Sequence, residues 1–263
     1  LPFDPPFAEE GSTLGGMVAA GLNGPGRLRF GGIRDFLIGV TFVDGRGSVV
    51  RSGGKVVKNA AGFDLPKFLV GSLGRYGVLT EMSFKVFPKP QKYVSLRFKH
   101  NKLEDGLESI IKASFSSWEL DAIELQSSGE MIVRLGGTKN ALKKRADRML
   151  KEFETKGEVL TDEDATHFWR EANAFGWSSP GAILAKVPLT PSRILGLEEA
   201  LSGFQVECRY SVAGNVAWLS WPSENTDKEL DSVLKKLGLG GLVFRGNGER
   251  ISIGRWTSET ITK

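Results

Sequence analysis

Apolar and polar positions in the first third of the chain form short alternating runs separated by turn residues. Apolar runs at residues 36–43 and 48–51 flank Asp44-Gly45-Arg46-Gly47, a strong turn signal, and together they predict a β-hairpin. Two further apolar stretches, at residues 14–21 and 65–70, have the spacing of short helices. The pattern therefore predicts a small unit in which helices connect a few strands.

A longer alternating run follows at residues 77–87. One parity holds Val78, Thr80, Met82, Phe84 and Val86, which predicts a strand with one well-buried face. The run ends at Pro88-Lys89-Pro90, where paired prolines interrupt both helix and sheet. We therefore expect a domain boundary near residue 90, with one domain over residues 1–90 and a second over residues 91–263.

The second part contains a weak internal repeat of strand, helix, two strands and helix. In the first copy these elements are predicted at 92–98, 102–114, 120–126, 130–135 and 138–155. In the second copy they are predicted at 181–187, 190–202, 204–210, 215–221 and 225–237, followed by a last strand at 241–245. Plausible helix starts are Thr138, Thr190 with Pro191, and Ser223. Two such units predict a duplicated, ferredoxin-like layer of helices on one antiparallel sheet.

Residues 156–180 connect the two copies and show no regular pattern. His167-Phe168-Trp169 lies in the middle of this segment. We expect an irregular lid or a loop that crosses between domains, and we expect His167 to serve packing rather than catalysis.

Composition narrows the class of protein. With 263 residues, 40% hydrophobic and 25% charged, the chain is long enough for two folded domains. The net charge of +4 is mildly basic, and Lys143-Lys144-Arg145 and Lys235-Lys236 lie on predicted helices. We interpret these as solvated helix faces, so no nucleic-acid partner is expected. An anionic cofactor or a small acid substrate suits this balance.

Cysteine content and hydropathy bear on compartment and cofactors. The single cysteine, Cys208, excludes a disulfide framework and an iron–sulfur site built from cysteines of this chain, and indicates a reducing compartment. No apolar run is long enough for a transmembrane helix, and no signal peptide is recognised. We therefore expect a cytoplasmic protein, peripheral at the inner face of the cell membrane only through partner subunits.

Glycines are concentrated where chemistry is expected, since more than half of the 33 fall before residue 90. In the segment from Gly11 to Gly24, a helix that opens at Gly15-Gly16 would present free amides to a pyrophosphate. The spacing is not that of a Rossmann fingerprint, and an ordinary glycine-rich turn is the alternative.

Three further segments have the same character. Arg34-Asp35 forms either a surface ion pair or a clamp on a loop over a cofactor. Lys58-Asn59 and Phe63-Asp64 bracket Gly62, and polar residues so placed can satisfy each other across a tight loop. Regularly spaced glycines, at Gly71, Gly74 and Gly77, would let the backbone run flush against a ring system, with Val78 and Leu79 offering backbone groups to it.

The order of these segments resembles the FAD-binding domain of the vanillyl-alcohol-oxidase/PCMH flavoprotein superfamily, and most closely the family of FAD-binding E subunits of bacterial glycolate oxidase. Five motifs of that family are matched, at residues 2–6, 13–19, 31–35, 58–64 and 71–78. The resemblance implies an α+β fold: the second lobe of a PCMH-type FAD-binding domain, followed by the duplicated ferredoxin-like α/β sandwich with its antiparallel sheet.

The resemblance also implies a cofactor and its contacts. FAD would lie along the first domain. The pyrophosphate and ribityl contacts carried over are Thr13, Leu14, Gly15, Gly16, Ala20, Asn23 and Gly24. Arg34 and Asp35 would lie on the flavin side, and Gly77 and Val78 would contact the flavin through their backbone. Phe63 replaces a tyrosine that is usual in the family.

Two departures qualify the resemblance. The family's preceding lobe, which grips the FAD pyrophosphate, is not in this sequence, so we expect only about half of a flavin cradle. The catalytic members' histidine-containing motif is also missing, since His100 and His167 lie in other contexts. Metal ligands and catalytic residues are therefore not assigned.

Three functions follow as alternatives. The first is an FAD-binding subunit of a glycolate (2-hydroxyacid) oxidase, with a sister catalytic flavoprotein subunit and an iron–sulfur subunit as partners. The second is an independent flavin oxidoreductase in which Arg134, Arg209 or Arg245 clamps a substrate carboxylate. The third is a scaffold subunit that does not hold FAD.

Overall fold

The chain forms two antiparallel sheets. The structure is a computed structural model that describes residues 1–54, 63–153 and 155–246. A three-stranded sheet has the order β2-β1-β3, and an eight-stranded sheet has the order β11-β8-β10-β9-β5-β6-β4-β7. The α+β class and the antiparallel sheet are confirmed. Within the described ranges, no helix is long and apolar enough to cross a membrane.

The smaller sheet and its helices come first along the chain. Their bounds are α1 Leu14–Ala20, α2 Arg27–Phe30, α3 Ile33–Phe36, β1 Leu37–Val43, β2 Val49–Gly53, α4 Leu65–Leu69 and β3 Val78–Phe84. The predicted hairpin turn is confirmed, because Asp44 Oδ1 accepts hydrogen bonds from the amides of Arg46 and Ser48, both at 2.9 Å. An aspartate that binds the next backbone amides in this way closes a turn locally.

The prediction of one well-buried face on β3 is wrong. A register shift opposite Thr41 and Phe42 displaces Thr80, so Leu79 packs on the same core as Met82 and Phe84 although it has the other parity. Val78 is 69% exposed. Such a bulge adds a residue to one strand and moves the following side chains to the opposite face.

The larger sheet is built from two copies of strand, helix, two strands, helix and strand. The first copy comprises β4 Lys92–Lys99, α5 Leu103–Ser114, β5 Ala122–Gln126, β6 Met131–Gly137, α6 Lys139–Glu152 and β7 Lys156–Val159. The second comprises β8 Ile183–Pro188, a 3-10 turn at Pro191–Arg193, α8 Ile194–Leu201, β9 Glu207–Ser211, β10 Val216–Trp221, α9 Asp227–Lys236 and β11 Leu242–Arg245. The copies join where β5 pairs with β9, which confirms the duplicated ferredoxin-like arrangement.

The segment predicted to be irregular, residues 156–180, is mostly regular. It supplies β7, the fourth strand of the first copy, and the helix α7 Asp162–Ala174. Thr161 accepts a hydrogen bond from the amide of Asp164, and three acidic residues occupy the first turn, where they stabilise the helix dipole. Trp169 Nε1 donates to Ser95 Oγ at 2.9 Å and anchors the helix on the sheet. The prediction of a lid or crossing loop is therefore wrong.

Helix starts agree with the sequence at two of three positions. Thr138 and Thr190 are the residues that precede their helical segments. Ser223 is not a helix start, since α9 begins after Thr226, which exchanges hydrogen bonds with Glu229 in a capping box. The Thr-x-x-Glu pattern explains the difference, because it satisfies two amides at once.

The two faces of the large sheet have different coverings. One face packs under α5, α6, α8 and α9 in a single apolar cluster that includes Cys208. The other face is covered by α7 and by the first residues of the chain, where Phe7 stacks on Phe175 at 5.2 Å. Two ion pairs, Asp4 with Arg134 and Arg29 with Asp121, join the beginning of the chain to this sheet.

Candidate functional site

The two glycine-rich segments lie against each other. Gly71 donates its amide to the carbonyl of Val18 at 3.0 Å, and Leu73 donates to Ala19 at 2.8 Å. Gly21 ends α1 in a left-handed conformation, φ 64°, and a Cβ there would lie 3.0 Å from Gly71 Cα. The structure thus joins the end of α1 to the loop that leads into β3, although fifty residues separate them.

The first turn of α1 lies at the surface of the protein. Thr13 Oγ1 accepts from the Gly16 amide at 3.0 Å, whereas the first-turn amides of Leu14 and Gly15 have no acceptor within the helix. Gly15 lies against β3, where a Cβ would be 3.7 Å from Leu79 O. Leu14, 53% exposed, and Val78 flank this contact. Amides beside exposed apolar side chains suit a ligand that carries both phosphate and a flat ring.

Gly77 is held where no other residue fits. Its φ is 147°, and a Cβ would overlap the carbonyl oxygen of Val43 and crowd the ring of Phe42. This glycine therefore brings the chain into β3 and sets the position of Val78. The backbone contact predicted for Gly77 and Val78 with a flavin stays a prediction.

Three residues assigned to the pyrophosphate region make internal contacts instead of facing solvent. Asn23 is buried, accepts from the Ile33 amide at 2.7 Å and donates to Gly21 O at 3.1 Å. Gly24 is buried, and a Cβ there would overlap Asp4 O. Ala20 packs beside Phe7 in the cluster between the first helix and the large sheet. Any cofactor role of these three residues would act through the backbone they shape.

Arg34 and Asp35 have separate tasks. Asp35 Oδ2 accepts from the Gly32 amide at 2.9 Å and so stabilises the turn before β1. Arg34 is exposed and lies near Asp64. A hydrogen bond from Lys67 lowers the pKa of Asp64, and the charge of Arg34 adds to the effect. Arg34 is an exposed cation that could meet an anionic ligand.

The motif Lys58-Asn59-Ala60-Ala61-Gly62 lies outside the described residues. Directly after it, Phe63, Phe68 and Tyr76 form a cluster of exposed rings, with centroids 5.6 and 4.6 Å apart along the series. No local sequence pattern indicates this cluster, because Phe63 precedes α4, Phe68 lies within it, and Tyr76 comes from the loop before β3.

A second region of interest is a cavity of about 690 Å³ between residues 5–10, β4 and α7. Arg134 lies at its floor, with its guanidinium 5.2 Å from the Tyr93 ring and 4.9 Å from the Trp169 ring. Asp4 Oδ2 accepts from Arg134 Nη2. Of the three arginines considered from sequence, Arg134 is the one that lines this cavity; Arg209 stacks on Phe168 and Trp177, and Arg245 ends β11.

A buried carboxyl group lies on the same sheet face. Glu124 is 2% exposed, and its Oε2 accepts from Ser211 Oγ at 2.7 Å. Burial raises the pKa of Glu124 to about 8, against the opposing effects of the Ser211 hydrogen bond and of the charges of Arg209 and Arg134. The group is therefore protonated near neutral pH.

The structure gives no reason to assign a metal ion or a catalytic histidine to either region. Across the ranges the structure describes, no group of three or more His, Cys, Asp or Glu side chains could hold a metal ion. Neither His100 nor the exposed His167 lines the cavity. Burial lowers the pKa of His100, so this imidazole favours its neutral form.

Three of the relatives found among known proteins bear on the function. The chain is 37% identical over 190 residues to glycolate oxidase subunit GlcE of Escherichia coli strain K12, a match over 70% of this chain and 50% of that protein. It is 34% identical over 99 residues to glycolate oxidase subunit GlcD of Bacillus subtilis strain 168, over 38% of this chain and 21% of that one. It is 33% identical over 110 residues to a D-lactate dehydrogenase of Anaerostipes hadrus, over 42% and 23%. The chain thus spans half or less of these relatives.

Solved structures support the fold. A structure of alkyldihydroxyacetonephosphate synthase aligns with a TM-score of 0.64 at 15% identity, over 91% of this chain and 56% of that one. No protein-family model matches. The chain is thus similar in sequence to the E subunit of glycolate oxidase over 70% of its length, and it shares the fold of alkyldihydroxyacetonephosphate synthase.

Proposed function

We propose that the chain is the FAD-binding subunit of a glycolate, or more broadly 2-hydroxyacid, oxidase or dehydrogenase. The observation that carries this proposal is the contact between the start of α1 and β3, where Gly15 lies against Leu79 and their chain neighbours Leu14 and Val78 are exposed. The similarity to two glycolate oxidase subunits and to a D-lactate dehydrogenase supports the same class of substrate.

The residues present fit the cofactor in chemical terms. The amides of Leu14 and Gly15 and the positive end of α1 would face the pyrophosphate. Gly77 and Val78 would offer backbone and apolar surface to the ring. Bound FAD supplies the two-electron redox chemistry that converts a 2-hydroxy acid such as glycolate into a 2-oxo acid such as glyoxylate.

This chain's own contribution is to place the cofactor and to shape its surroundings. Gly21 and Gly71 allow α1 and the loop before β3 to meet, and Gly77 fixes the direction of that loop. We assign residues 1–90 to the FAD-binding domain and residues 91–263 to a cap or substrate domain. A sister catalytic flavoprotein subunit and an iron–sulfur subunit would complete the enzyme and carry the electrons onward.

The proposal is tested by the visible spectrum of the purified protein with added FAD, followed by anaerobic addition of glycolate or D-lactate. We expect bound flavin, and bleaching of its absorbance when the partner subunits are co-expressed. The isolated chain is expected to bleach slowly or not at all. A protein that is colourless after incubation with excess FAD and removal of the unbound FAD would contradict the proposal and favour a scaffold subunit.

A further inference from the structure

The floor of the cavity between residues 5–10, β4 and α7 holds an arginine with donors to spare. Arg134 is 8% exposed, and the rings of Tyr93 and Trp169 hold its guanidinium from two sides. A guanidinium has five N–H donors. Within the described ranges, the hydrogen bond to Asp4 is the one found for this group; Nε is itself buried, so the donors that a ligand could reach are those of the two Nη atoms. A fixed plane with unused donors is suited to a carboxylate.

A second donor lies beside the arginine. Tyr93 is half-buried and lines the same cavity, and no hydrogen bond of its hydroxyl is recorded in the described part of the chain. Burial raises the pKa of Tyr93, so the phenol keeps its proton at neutral pH and donates. An arginine and a phenol side by side can each donate to one carboxylate, and hydrogen bonds to a charged acceptor are the stronger kind.

Charge at the mouth does not select the ligand. Three cations and three carboxylates line the cavity beyond its floor: Lys89, Lys92, Arg170, Glu9, Glu10 and Asp162. Their charges cancel, so net charge there does not attract an acid, and Arg134 and Tyr93 are the donors considered at the floor. The carboxylate of Asp4 weakens acid binding, because it neutralises the charge of Arg134.

The volume of the cavity adds a second criterion. About 690 Å³ is the size of a site for a ligand far larger than a two-carbon acid. The wall beyond the floor includes apolar side chains: Pro5, Ala8, Leu160, Ala165 and Trp169. A ligand whose carboxylate reaches the floor therefore has room for an apolar substituent, which burial against this wall would stabilise.

We propose that this cavity is the acid-binding site of the protein, that Arg134 and Tyr93 hold the carboxylate of a 2-hydroxy acid, and that the apolar wall favours acids with an apolar side chain over glycolate. This inference rests on the proposed function for the class of ligand. It is nevertheless tested by binding alone, with no requirement for flavin or turnover.

Calorimetric titration of the full chain with glycolate, lactate and 3-phenyllactate tests the size preference. We expect 3-phenyllactate to bind at least about tenfold more tightly than glycolate, since its ring buries apolar surface. Ala165→Leu narrows the wall and should weaken binding of 3-phenyllactate more than binding of lactate. Equal affinity for all three acids, or tightest binding of glycolate, would overturn the preference.

Substitutions at the cavity floor test the carboxylate contact, because two of them should weaken acid binding and one should strengthen it. Arg134→Lys and Tyr93→Phe should each weaken 3-phenyllactate binding about tenfold, as expected for a lost hydrogen bond to a charged group. Asp4→Asn keeps an acceptor for the Gly26 amide but removes the opposing charge, and should tighten binding several-fold. If the Asp4–Arg134 ion pair had a purely structural role, Asp4→Asn and Arg134→Lys would both weaken acid binding.

The matched control is Arg209→Lys, because Arg209 lies on the same sheet face and stacks on aromatic rings but does not line the cavity. It should bind acids as the parent chain does. Thermal unfolding of each variant excludes misfolding. If FAD fails to bind while acids bind as predicted, the flavin proposal fails alone; if FAD binds and the acids do not, this inference fails alone.

Discussion

Gly77→Ala is expected to lower the free energy of unfolding by about 3 kcal/mol or more, which places it among the most damaging single changes. The substituted residue would keep a φ of 147°, which L side chains rarely adopt, and its Cβ would overlap the carbonyl oxygen of Val43. Relief requires β3 to move away from β1, which also displaces Val78. Urea unfolding monitored by circular dichroism measures the loss.

Gly74→Ala is the matched control for this change. Gly74 lies in the same loop and also has a positive φ, 73°, but nothing lies within 4 Å of a Cβ added there. The left-handed conformation alone costs an L residue about 1–2 kcal/mol. If both variants lost the same stability, the overlap with Val43 would not be the cause, and the account of this turn would be wrong.

Glu124→Gln is expected to remove much of the pH dependence of stability between pH 5 and 8. Burial raises the pKa of Glu124 from 4.5 in the unfolded chain to about 8 in the folded chain. The folded state therefore binds more protons than the unfolded state in this range, and stability falls as pH rises through it. The loss reaches a magnitude on the order of 4 kcal/mol above pH 8.

The measurement is the free energy of unfolding of parent and variant across pH 5–9. Glutamine cannot ionise, so the variant should show a flatter profile and exceed the parent in stability at pH 9. Glu199→Gln, on an exposed position of α8, should keep the slope of the parent chain. A parent chain whose stability rises from pH 5 to 8 would contradict a protonated Glu124.

The large sheet could be predicted from sequence because its information is local. Each strand and helix of the repeat has its own apolar period, and the same order occurs twice. Helix α7 was missed for a different reason. Its apolar side chains, Ala165, Phe168 and Trp169, have helical spacing, but the short run next to irregular sequence on both sides gave no clear period. Its anchor, Ser95, comes from a distant strand.

The candidate site likewise has parts that local sequence predicts and parts that depend on contacts between distant segments. Glycine-rich motifs identify the segments that we propose to face the flavin, since the backbone there requires glycine whatever the rest of the chain does. The burial of Asn23 and the bulge at Thr80 depend on pairing with other segments, which no local pattern specifies. Tyr93, Arg134 and Trp169 line the cavity and Asp4 pairs with Arg134; the four come from separate segments, so only the folded chain brings them together.

The central claim, that FAD binds at the surface of α1 and β3, is tested most directly by titrating FAD into Val78→Asp and Val49→Asp and following flavin fluorescence. Both valines are exposed on the small sheet, at 69% and 64%, but Val49 lies on β2, away from α1. We expect Val78→Asp to weaken FAD binding at least about tenfold through repulsion and lost apolar contact, and Val49→Asp to bind as the parent does. Unchanged binding by Val78→Asp, or equal loss in both variants, would contradict the claim.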